Sequence, residues 1–124
     1  MKILRIDHIN IAGPFDLLER CRAFYVGVLG LTEGARPRFR RRGFWLYAGD
    51  SAVVHLSETA EDQGPPRGPL NHFAFKCEEL EDAVARLDRN GVPYRLERVP
   101  NTGETQLFVE DPAGTSIELN FAAN

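Results

Sequence analysis

Thiol chemistry has little to draw on in this 124-residue chain. Cys21 and Cys77 are its only cysteines, and they lie far apart without the CxxC spacing of a redox or zinc motif. That scarcity excludes a disulfide-stapled secreted scaffold and fits a reducing compartment with two buried thiols. No apolar run approaches the ~18 residues that a membrane span requires. The opening Met1-Lys2-Ile3-Leu4-Arg5-Ile6-Asp7 becomes charged too early for a signal peptide, so a cytoplasmic protein with no membrane partner is expected. There is no excess of one charge either: the net charge is −3, which offers no global attraction to nucleic acid. Apolar content of 43% and charged content of 27% are those of an ordinary globular domain, and the length fits one domain over residues 1–124.

Histidine is also scarce, and its placement carries the first functional information. The chain has three, and all of them fall on a repeated pattern. Asp7-His8-Ile9-Asn10-Ile11 recurs as Asn71-His72-Phe73-Ala74-Phe75, and Val54-His55-Leu56 recurs as Ile117-Glu118-Leu119. Two half-size units follow, each opening and closing on a strand with a potential metal ligand. A duplicated fold builds one four-sided site from such paired positions.

The rest of the chain divides the same way. Ile6 to Ile11 alternates with a strand period, Gly13-Pro14 ends it, and Asp16 is a candidate N-cap. Leu17, Leu18, Cys21, Phe24, Tyr25, Val28 and Leu29 recur at helical spacing, with Gly30 as the expected C-cap. Strands are expected near Leu31 to Phe39, Gly43 to Ala48 and Ser51 to Ser57, the last two joined through Gly49-Asp50. Residues 58–69, rich in Glu, Gly and Pro, suit a linker between a first module of about 1–57 and a second of about 70–124. The second module repeats the order: a strand from Leu70 to Cys77, a helix marked by Leu80, Val84 and Leu87 and stopped by Asn90-Gly91, then strands at Tyr94 to Val99, Glu104 to Glu110 and Thr115 to Phe121. The expected fold is α+β: two βαβββ modules in tandem forming a cupped mixed β-sheet with helices outside. A ~60-residue half buries little apolar surface alone, so pairing of the two is expected to stabilise both.

Strand side chains alternate between faces, so the apolar neighbours of His8, His55, His72 and Glu118 place these four on the face opposite the helices. Imidazole and carboxylate donors without thiolate suit one first-row divalent ion, Mn, Fe, Co, Ni or Zn. Asp7, Asn10 and Asn120 have equally good turn or rim explanations and are taken as structural.

The segments IDHINI, FYVGVLGL, AVVHLSE, NHFAFK and FVEDPAGTSIELNF, in this order of elements, resemble the vicinal oxygen chelate superfamily, which includes glyoxalase I, fosfomycin and bleomycin resistance proteins, methylmalonyl-CoA epimerase and extradiol dioxygenases. The resemblance implies ligands on the first and last strands of each module, here His8, His55, His72 and Glu118. It also implies a homodimer and a small oxygen-bearing substrate whose developing negative charge the metal stabilises. In a glyoxalase-like lyase or isomerase the charged species is an enediolate, with Glu118 as the base that forms it. Glyoxalase I enzymes resembling this chain usually carry Glu or Gln where His55 stands. An extradiol reading makes His8, His72 and Glu118 an iron(II) triad with His55 as acid-base catalyst, although this chain has Phe108 where such enzymes tend to place other groups. Sequestration of a ligand without turnover, as in bleomycin resistance, and fosfomycin-type thiol addition are the remaining readings.

Substrate contacts are expected from two regions. Arg36, Arg38, Arg40, Arg41 and Arg42 form a basic run beside Phe39, Phe44, Trp45 and Tyr47. It reads either as a solvated edge that deters strand aggregation or as an anion clamp. On a strand only alternate members would face the site, making Arg38 and Arg40, with Trp45, the candidates. Gln106 and Phe108 are the candidates on the strand beside Glu118.

Overall fold

The computed structural model describes residues 1–60, 69 and 71–123. Two compact units emerge, Met1–Gln63 and Gly64–Asn124, close to the expected halves. Leu70 and residues 61–68, at the start of the expected second module and in the expected linker, lie outside the described residues.

In the first unit, β1 (Ile9–Gly13) leads through Pro14 into α1 (Phe15–Ala23), followed by a π-helical segment, Phe24–Val28, then β2 (Thr32–Gly34), β3 (Gly43–Ala48) and β4 (Ser51–Glu58). The sheet order is β1-β4-β3-β2, with β1 parallel to β4 and the other pairs antiparallel. Alternation decides which side each residue serves. Ile11, Leu46, Val54 and Leu56 are buried, as are Leu17, Leu18 and Cys21 of α1, which lies across β1, β3 and β4. The opposite parity of the same strands, Asn10, Trp45, His55 and Ser57, falls on the helix-free face, with His8 just before β1.

The second unit repeats this with β5 (Phe73–Cys77), α2 (Leu80–Arg89), β6 (Arg95–Arg98), β7 (Thr105–Glu110) and β8 (Ser116–Phe121), in sheet order β5-β8-β7-β6. Thr105, Leu107, Val109, Ile117, Leu119 and Phe121 are buried on one face, together with Leu87 of α2. His72, Gln106, Phe108 and Glu118 have the other parity. Asp111 makes the β7–β8 turn: its Oδ1 accepts hydrogen bonds from the backbone N–H groups of Ala113 and Thr115, both at 2.8 Å. Among the described residues no helix is long and apolar enough to cross a membrane.

Several local expectations are corrected. The first strand begins at Ile9 rather than Ile6, whose side chain is exposed. Pro14, not Asp16, is the N-cap of α1; Asp16 lies in the first turn, where its charge suits the helix dipole. The single helix expected to reach Leu29 gives way to π geometry after Ala23, and Gly30, with φ +83°, then reverses the chain in the left-handed region as expected of a C-cap. The expected strand from Leu31 to Phe39 shrinks to Thr32–Gly34, since Pro37 and five closely spaced guanidinium groups give residues 36–42 no ladder to join. Glu58 ends β4 rather than opening a linker. Of the two cysteines expected to be buried, Cys21 is buried and Cys77 only half-buried.

Candidate metal centre

The expected donors form two pairs, one per unit. In the first, β1 and β4 run parallel with Asn10 opposite His55, which brings His8 alongside the same ring. The imidazoles of His8 and His55 stack with centroids 3.8 Å apart and planes 12° from parallel. Trp45, directly opposite His55 on β3, covers its other side at 4.0 Å and 11°. His8 has its Nδ1 2.7 Å from Asp7 Oδ2, so Nδ1 carries the proton and Nε2 is left with its lone pair. His55 is held the other way round, with Nε2 donating to the Ala52 carbonyl at 3.1 Å. Burial is the main cause that holds the His55 pKa below the ordinary imidazole value, and the neighbouring His8 adds to it. Burial therefore favours the neutral ring, the form that a ligand requires.

In the second unit, His72 and Glu118 form the equivalent pair, with His72 Nε2 3.8 Å from Glu118 Oε1. His72 Nδ1 meets Asn71 Oδ1 at 2.8 Å, repeating the arrangement at His8. Gln106 donates from Nε2 to Glu118 Oε1 at 2.9 Å, and only 12% of the Glu118 side chain is exposed. Phe108 lies opposite Glu118 across the β7–β8 ladder and meets the His72 ring edge-on at 6.3 Å. The Arg95 guanidinium sits 4.5 Å from the Phe108 ring centre and bonds Glu97 at 2.9 Å.

These residues fit a divalent ion in donor chemistry, and His72 with Glu118 fits one in spacing, whereas the stacked His8 and His55 rings aim their lone pairs along nearly parallel planes and would have to part before both could bind one ion. Two donor bonds of about 2.1 Å each span up to ~4 Å, which covers the His72–Glu118 separation. Each of His8 and His72 has its outer nitrogen occupied by an acceptor, the arrangement that orients metal-binding imidazole. Among the described residues, however, no three or more His, Cys, Asp or Glu side chains gather to hold an ion. Each unit thus presents one pair of candidate donors.

The other candidates are placed less simply. Trp45 packs against His55 rather than standing open to a ligand, and Gln106 holds Glu118. Arg38 and Arg40 are exposed between β2 and β3, outside any strand, so the alternation that singled them out does not operate there. Arg42 lies on the helix side, bonded to Glu58 and 3.9 Å from the centre of the Phe15 ring. Arg36 donates to the Arg41 carbonyl and covers Phe39. Asp7, expected to be structural, and Asn71, not singled out, each contact the histidine that follows. Their signal was available: an acceptor side chain directly precedes His at both repeat-related positions.

Tandem βαβββ units define a class of protein. The chain belongs to the Glyoxalase/Bleomycin resistance protein/Dioxygenase superfamily, whose family model matches residues 5–119. It is 32% identical over 125 residues to the uncharacterized protein YaeR of Escherichia coli K12, covering 93% of this chain and 94% of that one. A glyoxalase family protein from Bacillus anthracis superposes with a TM-score of 0.80 at 25% identity over 98% of each chain. Lactoylglutathione lyase from Agrobacterium tumefaciens (TM-score 0.61, 21% identity, 91% of each chain) shares the fold. So does the fosfomycin resistance protein FosX from Listeria monocytogenes (0.72, 16%, 98% of this chain and 96% of that one).

Proposed function

We propose that this protein is a divalent-metal-dependent lyase or isomerase of glyoxalase I type, acting as a homodimer on a small oxygen-bearing substrate, thiol-conjugated ones included. His8, His55, His72 and Glu118 are the proposed ligands of one ion, whether they come from one chain or from two. The observation that carries this reading is the doubled orientation of donors: Asp7 on His8, Asn71 on His72 and Gln106 on Glu118. Solvated strand residues have no need of such matched partners. The ion, when bound, supplies Lewis-acid polarisation of substrate oxygens. Glu118 is the residue to take a proton next to a carbonyl. Its Oε1 is engaged by the Gln106 amide and faces His72, which leaves Oε2 as the accepting atom. His55, whose burial favours the neutral ring, is the second group able to exchange a proton.

The test is elemental analysis of the purified protein, followed by turnover of a methylglyoxal–glutathione hemithioacetal with Ni, Zn, Co, Mn or Fe restored. Near-stoichiometric metal and metal-dependent turnover, both lost in His72→Ala and Glu118→Gln, are expected. Metal-bound protein that leaves the hemithioacetal untouched would overturn the glyoxalase assignment. One observation favours a second reading. His55 is covered on both faces and its Nε2 is engaged, which singles out His8, His72 and Glu118 as a two-histidine, one-carboxylate set suited to iron(II) and oxygen chemistry. Oxygen uptake with catechols would identify it.

A further inference from the structure

We propose that Arg36, with Phe39 and Trp45, forms a recognition site for a small organic oxyanion on the helix-free face of the first unit: a carboxylate or phosphonate group joined to an apolar body. The site lies within one unit and needs no metal, so it goes beyond the reading above and is tested separately from it.

Of the five arginines in the basic run, Arg36 is the one whose charge is unanswered. Arg38, Arg40 and Arg41 are exposed to water, and Arg42 pairs with Glu58. Arg36 is half-buried, and among the described residues no carboxylate pairs with it, whereas Arg22 and Arg95, outside the run, have Glu33 and Glu97. One terminal nitrogen of Arg36 donates to the Arg41 carbonyl at 3.0 Å, and its Nε is buried without any acceptor. A shielded donor on a charged group is costly to leave unpaired. An oxyanion relieves that cost, because its charge is opposite and its oxygens match the guanidinium fork. The exposed part of the residue lets such a group approach from solvent.

Local structure holds the guanidinium in place. The Tyr47 hydroxyl donates to the Ala35 carbonyl at 2.5 Å, which fixes the residue before Arg36. The Phe39 N–H donates to the Pro37 carbonyl at 2.9 Å, a tight turn that brings the Phe39 ring centre to 4.9 Å from the guanidinium carbon. Glycine at position 43 leaves the necessary room, since a Cβ there would lie 2.9 Å from Nη2 of Arg36. Gly43 and Trp45 have the same parity on β3, and the Phe39 and Trp45 ring centres are 6.5 Å apart. Phe39 is 56% exposed, an apolar ring held open to solvent beside an uncompensated guanidinium. The two together suit a ligand with an apolar body and an anionic end.

Trp45 is the chain's only tryptophan, so its fluorescence reports this site directly. The full chain, kept metal-free with chelator, is titrated with benzoate, phenylphosphonate, neutral benzamide and inorganic phosphate. The two organic anions should change the fluorescence saturably, with benzamide and inorganic phosphate each binding about tenfold more weakly or worse. Arg36→Met should weaken binding of both organic anions about 10- to 100-fold. Arg36→Lys should restore only part of it, because an ammonium keeps the charge and loses the fork. Arg38→Met and Arg40→Met should bind as the natural protein does. No saturable response to either organic anion overturns the proposal, and so does equal binding of benzoate and benzamide, a comparison that needs no variant. Undiminished binding in an Arg36→Met protein that melts cooperatively overturns it as well, as does an equal loss in Arg38→Met, which would make the basic run a diffuse attractor. Inorganic phosphate binding as tightly as phenylphosphonate overturns the part given to Phe39 and Trp45.

Discussion

A histidine makes a dependable ligand when its second nitrogen is already occupied, and in the proposed metal site Asp7 and Asn71, each one residue earlier, would do this for His8 and His72. Asp7→Ala and Asn71→Ala should each weaken metal binding about tenfold or more. Because both residues are exposed, the stability of the metal-free protein should stay within about 0.5 kcal/mol of the natural value, a pairing of results that isothermal titration and chemical denaturation can check together. The Arg42–Glu58 pair makes a prediction of the opposite kind, on stability and not on binding. The hydrogen bond from Arg42 is the main cause that holds the Glu58 carboxyl below its ordinary pKa of 4.5, so the folded state favours the ionised form. The stabilisation is complete above the unfolded-state value and is lost as pH falls through the folded one. Denaturation curves from neutral to acidic pH should therefore show natural protein and Glu58→Gln differing at pH 7 and converging in acid. Neither the Asp7 contact nor the Glu58 contact could be read from residue identity alone. Asp7 has an equally ordinary explanation as a turn residue, and Glu58 stood at the edge of a stretch whose composition suggested a linker.

Among the elements, β3 shows how a sheet position selects its residue. A Cβ at Gly43 would lie 2.1 Å from the Leu56 carbonyl and 2.9 Å from an Arg36 nitrogen. Arg36 could move aside, but a backbone carbonyl in the middle of β4 cannot. Gly43→Ala should therefore destabilise the first unit by at least about 1–3 kcal/mol, visible as a lower melting temperature, and should disturb the His55 strand with it. In the second unit, Asp111→Ala would leave the turn N–H groups of Ala113 and Thr115 without their acceptor at a buried position. A loss of about 1–3 kcal/mol is expected by the same assay. Most elements were legible because their periodicity and punctuation agree. β3, β4, α2, β7 and β8 fall within a residue or two of where alternation, helical spacing and Gly or Pro breaks put them. The stretch at 35–42 was not. Alternation there is a property of composition, and a strand also needs a neighbour with free backbone groups, which β3 offers only as far as Gly34. The turn to π geometry after Ala23 has no comparable mark, since Phe24, Tyr25 and Val28 keep an apolar pattern in either helix type.

For the whole molecule, the consequence of the metal reading is linkage: an ion that binds only the folded state must stabilise it. Free ion at a hundred times its dissociation constant should add about 2.7 kcal/mol, seen as a melting temperature raised by several degrees and returned to its starting point by chelator. His72→Ala should melt at one temperature with or without the ion. The repeat and the fold class could be read from local pattern alone, because side-chain period follows from backbone geometry and needs no knowledge of neighbours. Tertiary structure alone decided which atoms of the four candidate donors are engaged. It set Ala52 against one nitrogen of His55 and Trp45 against its face, gave Gln106 to Glu118 rather than to a substrate, and turned Arg42 away to Glu58. Those outcomes depend on strand order and register, which join residues far apart in the chain, and no local pattern encodes them.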